Sequence, residues 1–359
     1  MRRARFLNID FGLLIPVVVL IILGLTTLFS LNFTFFRTQS LFLIISLFFF
    51  IIFANVDCQA FQLYRFPIYI FSLVVLLLVL LLGIESRGAV RWVDVFGFRI
   101  QFSEILKPFL LVSFSSYLSN SQKGFKTFFI IILFLLPIIL LIYKQPDLGN
   151  ALIYGGVVIA TLITYGLPLV LLVVFSFLIL FISPFIFRFL QEYQRQRIFT
   201  FLSPTTDPLG TSYNTIQSII AIGSGMFFGK GLGAGTQSGL RFLPERHTDF
   251  IFAALSEEFG FIGALALIAS FAFLLYRIYV IFLNSEDKFC KIFSISSFFL
   301  ILIQFFINTG MNLGLLPVVG IALPFVSYGG SSLLSNFILL GLLTSISRDF
   351  RHREVLEIR

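Results

Sequence analysis

The sequence predicts a polytopic, all-α membrane protein with about ten transmembrane helices, and three observations carry that prediction. The 359 residues are 58% hydrophobic with a mean hydropathy of +1.03, too apolar for a water-soluble domain. Only 12% of the residues are charged. Apolar runs recur from end to end, most of them near the roughly 20 residues that a hydrocarbon core of about 30 Å requires.

In order, the runs lie around 11–31, 39–54, 66–84, 105–119, 127–143, 149–165, 167–189, 250–275, 291–309 and 330–347. Lipid supplies no hydrogen-bond partners to a backbone, and these runs do not alternate as barrel strands do, so each is a helix. The start, "MRRARFLNIDFGLLIPVVVL", has the basic flank of a signal peptide. Its apolar stretch is long and no A-x-A pattern follows, so it reads as a retained first span. With the amino terminus in the cytoplasm, ten spans return the carboxyl terminus there. Arg65, Lys123, Lys126, Arg277, Lys288 and Lys291 then fall on cytoplasmic flanks, whereas the short outer loops hold only Arg37 and Lys144. Cys58 and Cys290 fall in separate cytoplasmic loops, so no disulfide is expected. Residues 1–359 read as one membrane domain with two long outer segments, 84–104 and 190–249.

Those outer segments break the charge rule. The first carries Arg87, Arg91 and Arg99, and the second carries Arg188, Arg195, Arg197, Lys230, Arg241 and Arg246. Snorkelling to lipid headgroups explains them, and so does an anionic substrate at the outer leaflet. Nucleic acid is excluded as a partner for groups that face out of the cell. Within 190–249, "NTIQSIIAIG" reads as a short amphipathic helix against the membrane. The run "GSGMFFGKGLGAGTQSG" is not a P-loop, because Ser224 and Gly231 stand where glycine and Ser or Thr are needed. It leaves a backbone free to take positive φ, for close approach to a ligand or for loop flexibility.

The stretch "LPERHTDFIFAALSEEFG" places Glu245, Arg246, His247, Asp249, Glu257 and Glu258 at the threshold of the eighth span. Thr248 reads as its N-cap, with Asp249 in the first turn, where the helix dipole favours a carboxylate. Glu257 and Glu258 fall about 12 to 13 Å further down the helix by rise per residue, at a depth where acids need partners or water. "QFSEILKP" offers such a partner, with Glu104 and Lys107 one helical turn apart. A carboxylate, a buried cation and surrounding arginines at one membrane face describe a site for a lipid-linked phosphate or diphosphate. Trp92, the only tryptophan, follows Arg91 and reads as an interfacial anchor or as a surface for a sugar or a partner. "LLPVVGIALPFVSYGGSS" reads as an interrupted segment that shapes a cavity or fills a gap between helices.

The motifs "GAVRWVDVFGFRIQFSEILK", "QPDLGNAL", "YQRQRIFTFLSPTTDPLGTSYNTIQSIIAIGSG", "GKGLGAGTQSGLRFLPERHTDFIFAALSEEFGFIG" and "NTGMNLGLLPVVGIALPFVSYGGSS" together resemble the shape, elongation, division and sporulation (SEDS) family. "QPDLG", "GTQS" and "FLPERHTDFIF" lean toward its elongation branch. Phe102, Met226 and Ala322 depart from the family's usual proline, glycine and proline. The resemblance implies a peptidoglycan glycosyltransferase that polymerises Lipid II into glycan strands, for cell elongation and rod shape, at the outer face of the bacterial cytoplasmic membrane. It implies work beside a class B penicillin-binding protein and other elongation-complex proteins. The family's catalytic acid maps onto Asp249, its functional tryptophan onto Trp92 after Arg91, and its buried acid and lysine onto Glu104 and Lys107.

Such a reaction needs a base for a sugar hydroxyl, assigned to Asp249. It needs positive charge for the departing undecaprenyl diphosphate, and Arg91, Lys107, Arg197, Lys230 and Arg241 are the candidates. Glu245, His247 and Thr248 border the base and complete the candidate substrate site. No His and Cys cluster has ligand spacing, so any metal is an oxygen-bound magnesium or manganese. A Lipid II flippase and a non-catalytic scaffold of the elongation complex are the rival readings.

Overall fold

The computed structural model describes residues 10–86, 89–95, 97–166, 192–202 and 212–357, with single positions 170, 173, 174, 177, 181 and 188. Among the described residues, eight helices are long and apolar enough to cross a membrane. The first two are α1 (Phe11–Leu31) and α2 (Phe33–Asn55), joined at Asn32, whose side chain caps α2 by accepting from Thr34 N at 2.8 Å. After a 3-10 turn at Cys58–Tyr64 comes α3 (Arg65–Leu82). The fourth expected span is broken, with α4 (Phe102–Ile105) separated at Leu106 from α5 (Lys107–Ser119). Pro108 explains the break, because it has no N–H to return to Glu104 and its ring crowds that carbonyl. Then follow α6 (Phe125–Lys144) and α7 (Leu148–Tyr165), which Gly166 closes at φ 99°. The seventh expected span, 167–189, lies outside the described residues apart from the single positions, as do the basic start and residues 203–211.

Past it lie α8 (Glu192–Leu202), α9 (Tyr213–Ser224) and the single turn α10 (Thr236–Gly239). The helix expected from "NTIQSIIAIG" is α9. The closing spans are α11 (Ile251–Asn284), α12 (Lys288–Asn312) and α13 (Gly330–Glu357). Two apolar clusters hold the bundle together. One joins α1, α2, α11, α12 and α13, the other α3, α5, α6 and α7, and both draw on α5, α7 and α12. The outward faces of α2 and α3 stay exposed and apolar, as a lipid-facing surface must.

The outer segment between α3 and α4 is an antiparallel ribbon of β1 (Ile84–Ser86), β2 (Ala89–Val95) and β3 (Phe98–Ile100). Val93 faces Ile100 and Asp94 faces Arg99, and Gly97 makes the turn at φ 83°, donating its N–H to Asp94 Oδ1 at 2.8 Å. From sequence this stretch reads only as a loop, although "AVRWVDV" is rich in the β-branched and aromatic residues that favour strands. The ends of α1, α12 and α13 nearest the ribbon are tied to it and to the start of α11 by side-chain bonds. Ser30 donates to Glu258, Asn312 to Asp249 and Ser331 accepts from Gln101 N. This is the ribbon end of the bundle.

Helix α11 is not continuous. Gly260 leaves helical geometry at φ 66° and ψ −160°, which frees backbone groups on both sides of it. The glycine run fills the gap. Lys230 N and Gly231 N donate to Glu257 O and Glu258 O at 2.9 and 3.1 Å, while Phe261 N and Ile262 N donate to Met226 O and Phe227 O at 2.8 and 3.2 Å. A broken helix is tolerated at a membrane when protein re-satisfies the freed groups. The glycines at 225 and 229 therefore serve close contact with the break, not loop flexibility, since neither leaves room for a Cβ against the backbone of Ser256 or Glu258. Replacing Gly229, which sits at φ 79°, by alanine is expected to cost about 2 kcal/mol or more, read as a lower melting temperature. Gly223→Ala, where a Cβ meets nothing within 4 Å, is the control expected to stay near wild type.

Candidate functional site

Asp249 stands at the ribbon end, half-buried, two positions ahead of α11. Three successive carbonyls here are each held from another element. His247 O accepts from Tyr328 N at 2.8 Å, Thr248 O from Ser327 Oγ at 2.7 Å, and Asp249 O from Asn308 Nδ2 and Asn312 Nδ2 at 3.0 and 2.9 Å. Thr248 is not the N-cap of α11. Its hydroxyl lies 3.2 Å from Glu245 Oε2, the cap position belongs to Phe250, and Asn312 Oδ1 instead accepts from Ala253 N at 3.1 Å across the bundle. The segment 313–329 supplies the floor as irregular backbone, exposed at Leu313 and Leu315 and buried at Ile321 and 323–327, with Gly314 at φ 72° and Gly320 at φ 71°. A Cβ on Gly320 would stand 3.4 Å from Asp249 Oδ2, so the carboxylate rests against bare backbone.

His247 stacks face to face on Phe35 at 4.2 Å, with Tyr328 at 5.5 Å. Burial, with Arg241 nearby, holds the Arg246 guanidinium below its ordinary value, so positive charge is concentrated on this loop. Arg241 itself is exposed at φ 66°, and Glu245 is half-buried at φ 50°. Arg246 was not among the candidate cations, although it adjoins His247.

Glu257 and Glu258 take partners other than the expected Glu104 and Lys107. Glu257, fully buried, accepts from Gln237 N at 2.9 Å and from Ser238 N and Oγ at 2.8 and 2.7 Å, with Lys230 Nζ at 3.4 Å. It thereby caps α10 and ties the loop down. Glu258 accepts from Ser30 Oγ and from Gly233 N at 3.2 Å. Ser30 is one residue from the end of α1, so Glu258 meets that helix at its ribbon end, and residues 251–259 run helically up to the break at Gly260. Lys230 faces Glu257, so its charge is largely answered within the protein. Glu257→Gln is expected to remove about 1.5–3 kcal/mol of local stability, seen as faster amide exchange at Gln237 and Ser238.

A second polar cluster joins the ribbon to α4, α5 and α7. Lys107 Nζ and Glu104 Oε1 are 2.6 Å apart, both buried, with Lys107 1% exposed. Lys107 also borders a narrow apolar pocket lined by Leu110, Phe114, Ile138 and Val157. Asp147, the N-cap of α7, is 2% exposed and receives Gln101 Nε2 at 2.7 Å and Asn150 Nδ2 at 2.9 Å, with Arg91 Nη1 at 3.9 Å. Gly149 packs on Val319 and Ile321, beside Gly320, so this cluster and the Asp249 loop share a wall. Asp147 lies in "QPDLG" and Asn308 and Asn312 in "NTGMNLG", and no local sequence pattern marks these three as functional. Trp92 lies on β2, half-buried and paired with Ile84. Arg197 is exposed on α8 and is not one of the residues that grip the Asp249 loop. Among the described residues, no group of three or more His, Cys, Asp or Glu side chains forms a ready metal site.

Eight apolar helices long enough to cross a membrane among the described residues, a broken helix behind a fixed carboxylate and a cationic rim define a multi-pass membrane protein with a polar site at one membrane face. The model of the FtsW, RodA and SpoVE family, described as cell cycle protein, matches residues 2–352, and the chain belongs to this family, the SEDS proteins. It is 38% identical over 310 residues to the peptidoglycan glycosyltransferase MrdB of Escherichia coli K12, covering 85% of this chain and 83% of that one. It is 36% identical over 328 residues to the probable peptidoglycan glycosyltransferase FtsW of Geobacter metallireducens, covering 88% and 85%. Among solved structures it resembles a chain of a peptidoglycan synthase complex that coordinates polymerization and crosslinking, with a TM-score of 0.83, 28% identity and coverage of 96% and 99%. It likewise resembles the rod shape determining protein RodA of Thermus thermophilus, with a TM-score of 0.73, 27% identity and the same coverage.

Proposed function

We propose that this chain is a peptidoglycan glycosyltransferase of the elongation branch, joining Lipid II units into glycan strands with Asp249 as general base. The observation that carries the reading is the seat of Asp249, whose backbone carbonyl takes two buried amide donors while its carboxylate rests on Gly320. A base that must meet a weakly acidic alcohol works best from a fixed position. The acceptor sugar's 4-hydroxyl gives its proton to the Asp249 carboxylate as its oxygen forms a bond to the donor's anomeric carbon. The bond from that carbon to the diphosphate breaks, the electron pair leaves with undecaprenyl diphosphate, and configuration inverts.

The leaving group needs charge more than a proton. Arg91 and Lys107 at the ribbon end, with Arg241 and Arg246 on the loop, are proposed to supply it, and Glu245, His247, Thr248 and Trp92 are proposed to border the sugars. Lys230 and Lys107 each already face a carboxylate, Glu257 and Glu104, and Arg197 stands out on α8, so the arginines at 91, 241 and 246 carry more of this role. A magnesium or manganese ion, if bound, would be held by oxygen ligands and would add positive charge for the departing diphosphate, with Asp249 kept for the proton. A class B penicillin-binding protein is the proposed partner, and both termini are proposed to face the cytoplasm.

Purified chain, its transpeptidase partner and Lipid II in detergent test the reading. Strands of polymerised disaccharide are expected. Lipid movement across vesicles without strands would support a flippase, and no reaction beyond binding of the partner would support a scaffold.

A further inference from the structure

We propose that Asn308 and Asn312 are positioning residues for the reaction, acting on Asp249 through its own backbone. The inference rests on the reading of Asp249 as the base. Both side chains belong to α12, lie one turn apart and are fully buried. Asn308 Nδ2 donates to Asp249 O at 3.0 Å and to Ile321 O at 2.7 Å. Asn312 Nδ2 donates to the same Asp249 O at 2.9 Å and to Asn308 O at 2.8 Å. One carbonyl oxygen therefore spends both of its acceptor sites on side-chain amides.

Asn308 thus spans the two walls of one gap. On one side is the base, and on the other is Ile321, whose neighbour Gly320 lies against the base's carboxylate. Asn312 adds the angle of approach. Its Oδ1 takes Ala253 N, an N–H in the first turn of α11 that has no partner within its own helix, so one amide grips both Asp249 and the helix that follows. Ser218 Oγ closes the set by donating to Asn312 O at 2.8 Å. Two amides buried in a membrane helix are expensive where an apolar side chain would pack as well. Every Nδ2 contact of Asn308 goes to the loop of the base or to its floor. A displacement of about 1 Å at a reacting group costs on the order of 100-fold in rate, so a grip of this kind is worth more to kcat than to binding.

The test uses the full chain with its transpeptidase partner and Lipid II, and measures kcat, KM and melting temperature. Asn308→Leu is expected to lower kcat on the order of 100-fold with KM within about threefold of wild type, and Asn308→Ser, which keeps a hydroxyl donor, to fall between the two. The deciding comparison repeats each substitution in an Asp249→Asn background. There a positioning role predicts that the residual rate changes by less than about threefold, because no base is left to misplace, whereas a purely structural role lowers the rate in both backgrounds. Where Asn308→Leu fails to assemble, Asn308→Ser carries the same comparison. Asn308 variants with wild-type kcat, or with equal losses in both backgrounds, overturn the inference and leave the base assignment intact. An Asp249→Asn enzyme that polymerises normally overturns the base assignment and this inference with it.

Discussion

Replacing Asp249 by asparagine is expected to lower kcat for strand formation by about 10²–10⁴-fold, the range that a positioned general base contributes. Asparagine has nearly the same shape and leaves the backbone contacts of Asn308 and Asn312 in place, so Lipid II binding and melting temperature should hold. The substitution removes only the proton acceptor. Asp249→Glu sharpens the point, because it keeps the charge and moves it by one methylene toward the bare backbone at Gly320. A large loss there as well shows that position, and not charge alone, is needed. Rates are measured by strand length and yield, and binding by titration of Lipid II into each purified complex.

Lys107→Met has the second large effect, and it falls on stability as well as rate. Glu104 lies 2.6 Å from Lys107, and both are buried, so methionine strands a carboxylate without its cation. Breaking a buried pair from one side costs about 3–5 kcal/mol, whereas replacing both partners with apolar groups is often neutral. Lys107→Met should therefore melt well below wild type. The double variant Glu104→Leu with Lys107→Met should recover most of the melting temperature and still make no strands, because the cation offered to the diphosphate is gone. Recovery of activity in the double variant would make the pair a packing device and remove Lys107 from the substrate site.

The spans were legible because hydropathy is a local property of each run, and the bundle needs no more than that to place them. What local patterns could not carry is non-local. The run from Ile251 to Asn284 keeps an apolar helical composition through Gly260, and only the glycine loop that docks there shows that the helix is broken. For the same reason the glycines read as freedom in the sequence and are close contact in the structure. Thr248 looked like an N-cap because Ser and Thr usually are, but Asn312 does part of that work from another helix. Glu257 and Glu258 announced a need for partners, and those partners came from Ser30 and residues 230–238, far along the chain. The ribbon left a weaker trace, since "AVRWVDV" is rich in valine and carries the tryptophan but shows no period-2 alternation. The choice of Asp249 over its neighbouring acids came from the family resemblance, and no local pattern alone singled it out.

The proposed proton transfer depends on the distance between one carboxylate and one alcohol. A structure of the complex with its transpeptidase partner, holding an acceptor sugar and an unreactive lipid diphosphate donor, measures it. The predicted result is an acceptor 4-hydroxyl oxygen about 2.6–3.2 Å from an Asp249 carboxylate oxygen, or joined to it through one water, with the donor's diphosphate facing the cations of the ribbon end. An acceptor hydroxyl seated against a different base, with Asp249 beyond the reach of a single bridging water, contradicts it.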